Sequence, residues 1–418
     1  MITYFAEHLL VKTFNQLVKR GSLTLITASG KQLDFGDKTL PRVRVRFSDS
    51  RSVLSLLLDP DFQLGELYMN GRIIVEEGTV YDLLELILRD SYDVAPGLLL
   101  SVINKVRMSL RLYLQRNRPS RAQKNVAHHY DLDDRLYSYF LDRDRQYSCA
   151  YFENPKQSLE DAQLAKKRHI TAKLLIEPGH RVLDIGCGWG GLSRYMSEVA
   201  KAGEVTGITL SKEQLDYASK QVKKKSAGQK LAYRLEDYRA TTGKFERIVS
   251  VGMFEHVGLG FYDAFFKKCS ELLTDDGVML LHFIGNSDVP DFNNPWIEKY
   301  IFPGGHLASL SECTPAIERT DMVITDIEIL RLHYAQTLRH WRGRFLSHRD
   351  EIKSLYDERF CKMWEFYLSM SETAFRYQQI AVFQIQLAKR QENVPLTRDY
   401  IDKQKKILRK SELKNKKS

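Results

Sequence analysis

Apolar positions recur along the chain with two different periods, and the change from one to the other divides it. Residues 1–19 carry them at helical spacing, residues 22–27 and 43–47 alternate apolar with polar side chains, and helical spacing returns at 61–69 and 80–88. This pattern predicts a small α+β domain over residues 1–115, with no catalytic spacing in it. A segment containing Pro and Arg, residues 116–124, reads as a linker. From 125 to 395 strand patterns alternate with helical ones, as a mostly parallel sheet requires. The strands are predicted at 181–185, 204–209, 232–235, 247–251, 278–283 and 323–330, and long helices at 339–355 and 358–390 close the domain before a basic tail, 396–418.

The first of those strands ends in a glycine loop. Residues 181–191 read RVLDIGCGWGG, with glycines at 186, 188, 190 and 191. A strand that breaks into such a turn and opens a helix is expected to bring bare backbone N–H groups against a ligand. Gly186, Gly188 and Gly191 also fit the dinucleotide fingerprint, which needs a carboxylate at the tip of the following strand for the ribose hydroxyls. That strand ends instead at Thr209, followed by Ser211 and Gln214, and the acid lies before the glycines, at Asp184. The order Asp-x-Gly-x-Gly-x-Gly resembles the cofactor motif of the S-adenosylmethionine-dependent methyltransferases, in which no pyrophosphate has to be cradled.

Composition narrows the picture less. A chain of 418 residues with 43% hydrophobic side chains has room for two domains and an ordinary core. Its five cysteines (149, 187, 269, 313, 361) lack metal spacing and fit free thiols in a reducing compartment, so no metal is expected. Glu7, His8 and Lys12 interrupt any signal-peptide core, and no apolar run reaches membrane-spanning length, which predicts a cytoplasmic protein, soluble or peripherally attached to a membrane. The net charge of +10 is concentrated. Residues 94–130 hold seven basic side chains (Lys105, Arg107, Arg111, Arg116, Arg118, Arg121, Lys124) and no acid, and residues 403–417 hold eight against Glu412 alone. RNA-binding aromatic motifs, helix-turn-helix and zinc-finger spacings are missing, so nucleic acid is not the expected partner. An anionic membrane surface is the reading for 94–130; the tail reads as solvated and floppy.

Three more constellations accompany the loop: Tyr147-Ser-Cys-Ala-Tyr-Phe with the preceding Asn125-Val-Ala-His-His-Tyr-Asp; Phe254-Glu-His-Val-Gly and Leu281-His-Phe-Ile-Gly after the fourth and fifth strands; and His333-Tyr-Ala-Gln-Thr-Leu. Ligands of an open parallel sheet bind outside the carboxyl ends of its strands, where Glu255 and His282 fall on neighbouring strands. With YSCAYF, VLDIGCGWGGL, SVGMFEHVG, LLHFIG and WIEKYIFPGG in this order, the chain resembles the cyclopropane-fatty-acyl-phospholipid synthases over its whole length. The segment Leu64-Gly-Glu-Leu-Tyr-Met-Asn-Gly is similar to that family's small lipid-associated domain.

The resemblance implies an α/β fold, a Rossmann-like class I methyltransferase sheet with a small N-terminal α+β lipid-associated domain. It implies that S-adenosylmethionine supplies a methyl carbon to the cis double bond of an unsaturated phospholipid acyl chain, and that loss of a proton closes a cyclopropane ring. An alkene is a weak nucleophile, so orientation must do the work; the cation that follows must be kept from water. Aromatic faces can steady it, and Tyr130, Tyr147, Phe254, Phe283, Tyr300 and Phe302 are the candidates, none singled out. The family's base is a bound bicarbonate, whose ligands carry over to Cys149, Glu255, His282, Ile284 (through its backbone) and Tyr334. His282 and Tyr334 would hold the anion, and Glu255 would accept its proton and fix His282. The bland alternative for Glu255-His256 is a helix cap with a dipole-favourable acid.

Cofactor contacts carry over likewise. Tyr147 and Ser148 would cover the methionine end, with Asp184, Gly186, Cys187, Gly188, Gly190 and Gly191 beneath; Thr209 and Gln214 would take the ribose, and Glu236 and Asp237 the adenine edge. His128 and His129 would belong to a lid over the cofactor and not to a metal site. One departure stands out: Ser371 occupies a position where many relatives carry cysteine, and it is expected to lie near the acyl channel and to be tolerated, because alkene addition needs no enzyme nucleophile. Relatives that make methyl- or methylene-branched acyl chains share the first step and are the nearest alternative. A homodimer is compatible with the sequence.

Overall fold

A computed structural model describes residues 2–91, 98–114, 133–222 and 230–417. The chain divides into two compact units that are not contiguous in sequence: Met1–Arg111 with Phe292–Pro303 and Leu338–Ile380, and Leu112–Asp291 with Gly304–Thr337 and Ala381–Ser418. Hydrophobic periodicity reports elements and not which of them later segments rejoin, so the contiguous boundaries expected from sequence differ from these units.

In the first unit, β1 (Ser22–Ile26) pairs antiparallel with β2 (Gln32–Phe35) and parallel with β3 (Arg42–Phe47), and β3 pairs antiparallel with β4 (Ile73–Glu77). The apolar-against-arginine alternation of β3 buries Val43, Val45 and Phe47 among Leu10, Phe14, Leu23 and Leu25. β2, β4 and the helix Ser50–Leu58 were not anticipated. Gly65 of the LGELYMNG segment lies against the Trp296 indole with no room for a Cβ, and Trp296 packs edge-on to Phe366 at 4.8 Å. Tyr300 and Phe302 also belong here: Tyr300 donates its hydroxyl to Glu66, and Phe302 meets Tyr367 edge-on.

The second unit holds an eight-stranded sheet in the order β11 (Val323–Leu330), β12 (Ile380–Ala388), β9, β8, β5, β6, β7, with β10 (Ala308–Ser309) paired to β9. β5 (Arg181–Ile185), β6 (Glu204–Thr209), β7 (Lys230–Leu235), β8 (Phe245–Val251) and β9 (Leu273–Asn286) run parallel. Alternation along β5 sends Leu183 and Ile185 into one core, with Ile248, Phe254, Phe283 and Phe383, and Val182 into another, with Leu192, Val205, Val249 and Leu280. Both faces are therefore covered, as a parallel sheet demands.

Two expectations are corrected. The helix placed over 358–390 ends at Tyr377, and residues Ile380–Ala388 form β12, paired antiparallel with β11 (Val323–Leu330). Its apolar residues Ala381, Phe383, Ile385 and Leu387 alternate with Gln384 and Gln386, a period of two that the helical run before it obscured. Nor is the tail floppy. Asp399–Lys417 is a helix whose Tyr400, Ile401 and Leu408 pack with Ala172, and whose Glu412 takes both Arg168 Nε and Nη2, at 2.9 and 2.8 Å, and the Tyr195 hydroxyl. Burial of three apolar side chains and one bidentate ion pair outweighs the solvation of the lysines on its outer face.

The basic stretch is described only in part. Helix Leu98–Leu114 shows Val102, Val106 and Leu110 to solvent, while Arg107 is paired with Asp59 at 2.7 Å. Residues 115–132, which include the linker, Arg116, Arg118, Arg121, Lys124, His128, His129 and Tyr130, lie outside the described residues. No helix among the described residues is long and apolar enough to cross a membrane.

Candidate active site

The carboxyl ends of β5, β6 and β8 open into a cleft of about 1090 Å³, counting its solvent-open mouth, lined by Tyr147, Ser148, Asp184 to Trp189, Thr209, Gln214, Glu236, Asp237, Met253 and His256 among others. All but two of the cofactor residues predicted from sequence line it; Gly190 and Gly191 lie just beyond, where the loop passes into the helix Gly191–Glu198.

The loop works differently from the expectation of bare amides. Gly186 N and Cys187 N both donate to the Ile208 carbonyl, at 2.9 and 3.0 Å, and Gly190 N donates to Cys187 O. Those donors are spent on holding the turn, so the loop offers space. A Cβ on Gly188 would meet nothing within 4 Å, whereas Gly190, at φ 78°, carries the ring of Tyr233 directly against its Cα and accepts the Tyr233 hydroxyl through its carbonyl. Asp184 is buried beneath, accepts from Ser193 Oγ at 2.6 Å, and burial pushes its carboxyl up to about 6.

The polar lining is set in advance. Thr209 donates its hydroxyl to Gln214 Oε1 at 2.9 Å, which leaves the Gln214 amide nitrogen as the donor toward a ligand. Glu236 takes the Thr241 hydroxyl, and Asp237 takes the backbone and Nε of Arg239. Tyr147 sits in an aromatic group with Tyr137, Phe140 and Trp189, and Ser148 accepts from Lys166 Nζ at 2.7 Å.

A second, drier set of groups lies at the ends of β8 and β9. Glu255 occupies a short turn, Phe254–His256, and its Oε1 accepts from Ile284 N at 2.8 Å on β9; its Oε2 is buried without a hydrogen-bond partner among the described residues. Glu255 is thus no helix cap. Burial pushes its carboxyl up to about 7. His282 stands two residues before Ile284 on the same side of β9, and burial beside the Lys166 and Lys173 ammonium groups drives its imidazole down to about 3, so it is neutral. The sequence leads one to expect that Glu255 fixes His282. The structure gives the Ile284 N–H to Glu255, and the His282 Nδ1 to Gln384 Nε2 at 3.1 Å. Reach explains it: the Glu255 side chain meets the β9 backbone before it can meet a ring on that strand.

Cys149 and Tyr334 approach from outside the sheet. Ala150 N donates to Thr337 Oγ1 at 3.0 Å, and Phe152 N donates to His333 Nδ1 at 2.9 Å, so the YSCAYF segment is clamped to the first turn of the helix His333–Ser347, where Tyr334 sits. The clamp continues as a ring stack, His169 on Tyr151 on His333. Cys149 is fully buried and its thiol is pushed up, which makes it a weak donor and no nucleophile. Phe254 and Phe283, also fully buried, are core residues in mutual contact at 5.1 Å.

Against known proteins, residues 117–385 match the family described as mycolic acid cyclopropane synthetase. The chain belongs to this family. It is 42% identical over 265 residues to the cyclopropane-fatty-acyl-phospholipid synthase of Escherichia coli K12, covering 63% of this chain and 68% of that one. Among solved structures it is similar to the cyclopropane synthase MmaA2 from Mycobacterium tuberculosis, with 33% identity, a TM-score of 0.60 and coverage of 64% and 98% of the two chains. The mycolic acid cyclopropane synthase CmaA1, complexed with SAH and CTAB, gives 34%, 0.59, and 63% and 97%. The resemblance read from the sequence is thereby established over residues 117–385, and with it the Rossmann-like α/β class and S-adenosylmethionine-dependent methyltransferase activity in lipid modification.

The matched span contains every site residue named above. Sequence reading did not anticipate Lys166, Thr337 and Gln384. Lys166 is fully buried, donates to Gln146 Oε1 and Ser148 Oγ, and is pushed down to about 8. Its pattern Ala-Lys-Lys-Arg-His reads as an exposed basic helix face; only the chain packing over it shows otherwise. Among the described residues no group of three or more His, Cys, Asp and Glu could hold a metal ion.

Proposed function

We propose that this enzyme adds the methyl carbon of S-adenosylmethionine across the cis double bond of an unsaturated phospholipid acyl chain and closes a cyclopropane ring, with bicarbonate as the base. The observation that carries this reading is the buried Glu255 carboxyl, with one oxygen unpartnered among the described residues and the other held by the strand that carries the neutral His282, beside His256 and Met253 of the cofactor cleft. A buried polar atom without a partner marks a place where a ligand completes the hydrogen bonding. A small anion that both donates and accepts fits these groups: Glu255 Oε2 for its hydroxyl, and the donors of His282 and Tyr334 for its oxygens.

When bound, the sulfonium supplies an electrophilic methyl group, whose S–C electron pair leaves with sulfur as the alkene π pair forms the new C–C bond; bicarbonate supplies a base that takes one proton from that methyl carbon as the C–H pair closes the ring. The protein's own part is orientation, dryness and charge. Tyr147 and Trp189, locked by Tyr137 and Phe140, form an apolar wall. Glu255, with its carboxyl pushed up to about 7, is basic enough for Oε2 to accept the hydroxyl of the anion and to take up its proton, so the pair need carry only one negative charge. Neutral His282 does not compete as the base, and Cys149 stays a thiol. Lys166 bears electrostatically on both Cys149 and His282, which favours one net negative charge between them.

The exposed stripe Val102, Val106 and Leu110, with Lys105 beside it, supports contact with an anionic lipid surface. The test uses unsaturated phospholipid vesicles, labelled S-adenosylmethionine and lipid mass spectrometry. Ring formation adds one CH2 and removes the ozonolysis-sensitive double bond. A methyl branch, or a methylene product that still cleaves with ozone, would replace this product assignment.

A further inference from the structure

β12 places a glutamine where the reaction scheme so far has no use for one. Gln384 is fully buried; its Nε2 lies 3.1 Å from His282 Nδ1 and its Oε1 3.3 Å from Lys173 Nζ. Lys173, on the helix Leu159–Lys173, is itself completely buried and held by Glu328 at 2.8 Å and Asp326 at 3.0 Å, both on β11. The same Glu328 oxygen, Oε2, also meets His169 Nε2 at 2.6 Å. The row therefore runs from an acid pair through a lysine and an amide to the imidazole.

Each link admits one orientation. An ammonium group has donors only, so Lys173 must face the amide oxygen of Gln384. The amide nitrogen is then turned to His282, and it too can only donate, so His282 Nδ1 must accept. A neutral imidazole that accepts at Nδ1 carries its proton on Nε2. We infer that Gln384, oriented by Lys173, is a positioning residue that fixes His282 as the Nε2–H tautomer, so that the ring presents a donor to the anion held with Glu255. The assignment of what the donor faces rests on the bicarbonate reading; the assignment of the tautomer does not. A reversed ring would turn a lone pair toward the anion and weaken its binding. A carboxylate at position 384 would draw the proton to Nδ1 and produce that reversal, or a second proton and an imidazolium. An amide does neither, which gives a physical reason for glutamine here.

The test is 15N NMR of the full chain with labelled histidine, His282 being assigned by its loss in His282→Gln. In the unmodified enzyme at neutral pH, Nδ1 should show the shift of an unprotonated nitrogen and Nε2 that of a protonated one. In Gln384→Glu, Nδ1 should become protonated, ring-forming turnover should fall by roughly 10–100-fold, and cofactor affinity should stay within about twofold, as for other outer-shell partners that orient a histidine. Gln384→Leu, which removes the donor and supplies no acceptor, should give a mixture of tautomers and a smaller loss. A protonated Nδ1 in the unmodified enzyme would overturn the assignment, whether or not any variant folds. Unchanged turnover in a Gln384→Glu enzyme with a reversed ring would overturn its bearing on the reaction. Should the bicarbonate reading be the one that fails, wild-type turnover will be indifferent to bicarbonate while the spectrum remains as assigned.

Discussion

The two ends of one strand edge handle their polar groups in opposite ways. Around β5, β6 and β7 the residues assigned to the cofactor are already satisfied by neighbours: Asp184 by Ser193, Thr209 by Gln214, Glu236 by Thr241, Asp237 by Arg239. Around β8, β9 and β12 a carboxyl keeps one oxygen without a partner among the described residues, and burial pushes it up to about 7. The first end recognises by preformed shape, at little cost to the empty fold. The second holds a buried group that no described residue satisfies, the kind of atom that a ligand can complete.

The sharpest way to break this contrast is to neutralise the second end alone. Glu255→Gln should lower turnover by ~10²–10⁴-fold, the range for removing a group that handles a proton, while isothermal titration finds S-adenosylmethionine affinity within about threefold of the unmodified enzyme. Equal losses in both would mean that the two ends are one site. Next comes damage to shape at the first end. Gly190→Ala forces a Cβ into a left-handed backbone against the Tyr233 ring and should cost about 1–3 kcal/mol of stability, with a weakened cofactor affinity of roughly tenfold and an unaltered product.

A third test uses pH. Glu255 is raised in the fold above its unfolded value, so between the unfolded value near 4.5 and about 7 its contribution to stability should fall as pH rises. The neutral imidazoles of His256 and His282 act in the opposite direction, so the readout is a difference: the melting temperature of the unmodified enzyme minus that of Glu255→Gln should drop across this window. The smallest effect belongs to Ser371→Cys, expected to change turnover by less than about threefold; a gain of several orders of magnitude would show that a thiol there acts chemically.

How far the sequence foretold these two ends follows the same division. Strands 181–185 and 204–209 are legible to the residue, because β5 and β6 are short stretches carrying β-branched and apolar residues, ended by the turns at Gly186 and Leu210-Ser211. The loop's use of its amides was not, since only the paired strand shows that Ile208 O claims Gly186 and Cys187. Glu255 and His282 were legible from their places at strand ends and from the resemblance. Gln384 was hidden twice over: β12 followed a long helical pattern, and a glutamine carries no motif of its own. The docking of the last helix escaped for a related reason. Tyr400, Ile401 and Leu408 are few among many lysines, and their partner surface lies more than two hundred residues earlier.

The claim that Glu255 and His282 complete a bound bicarbonate is tested most directly by ring formation in bicarbonate-depleted buffer, with and without add-back, in the unmodified enzyme and in Glu255→Gln. The account predicts that depletion slows the unmodified enzyme, that added bicarbonate restores it saturably, and that Glu255→Gln responds to neither. Full ring-forming turnover of the unmodified enzyme without bicarbonate would contradict it.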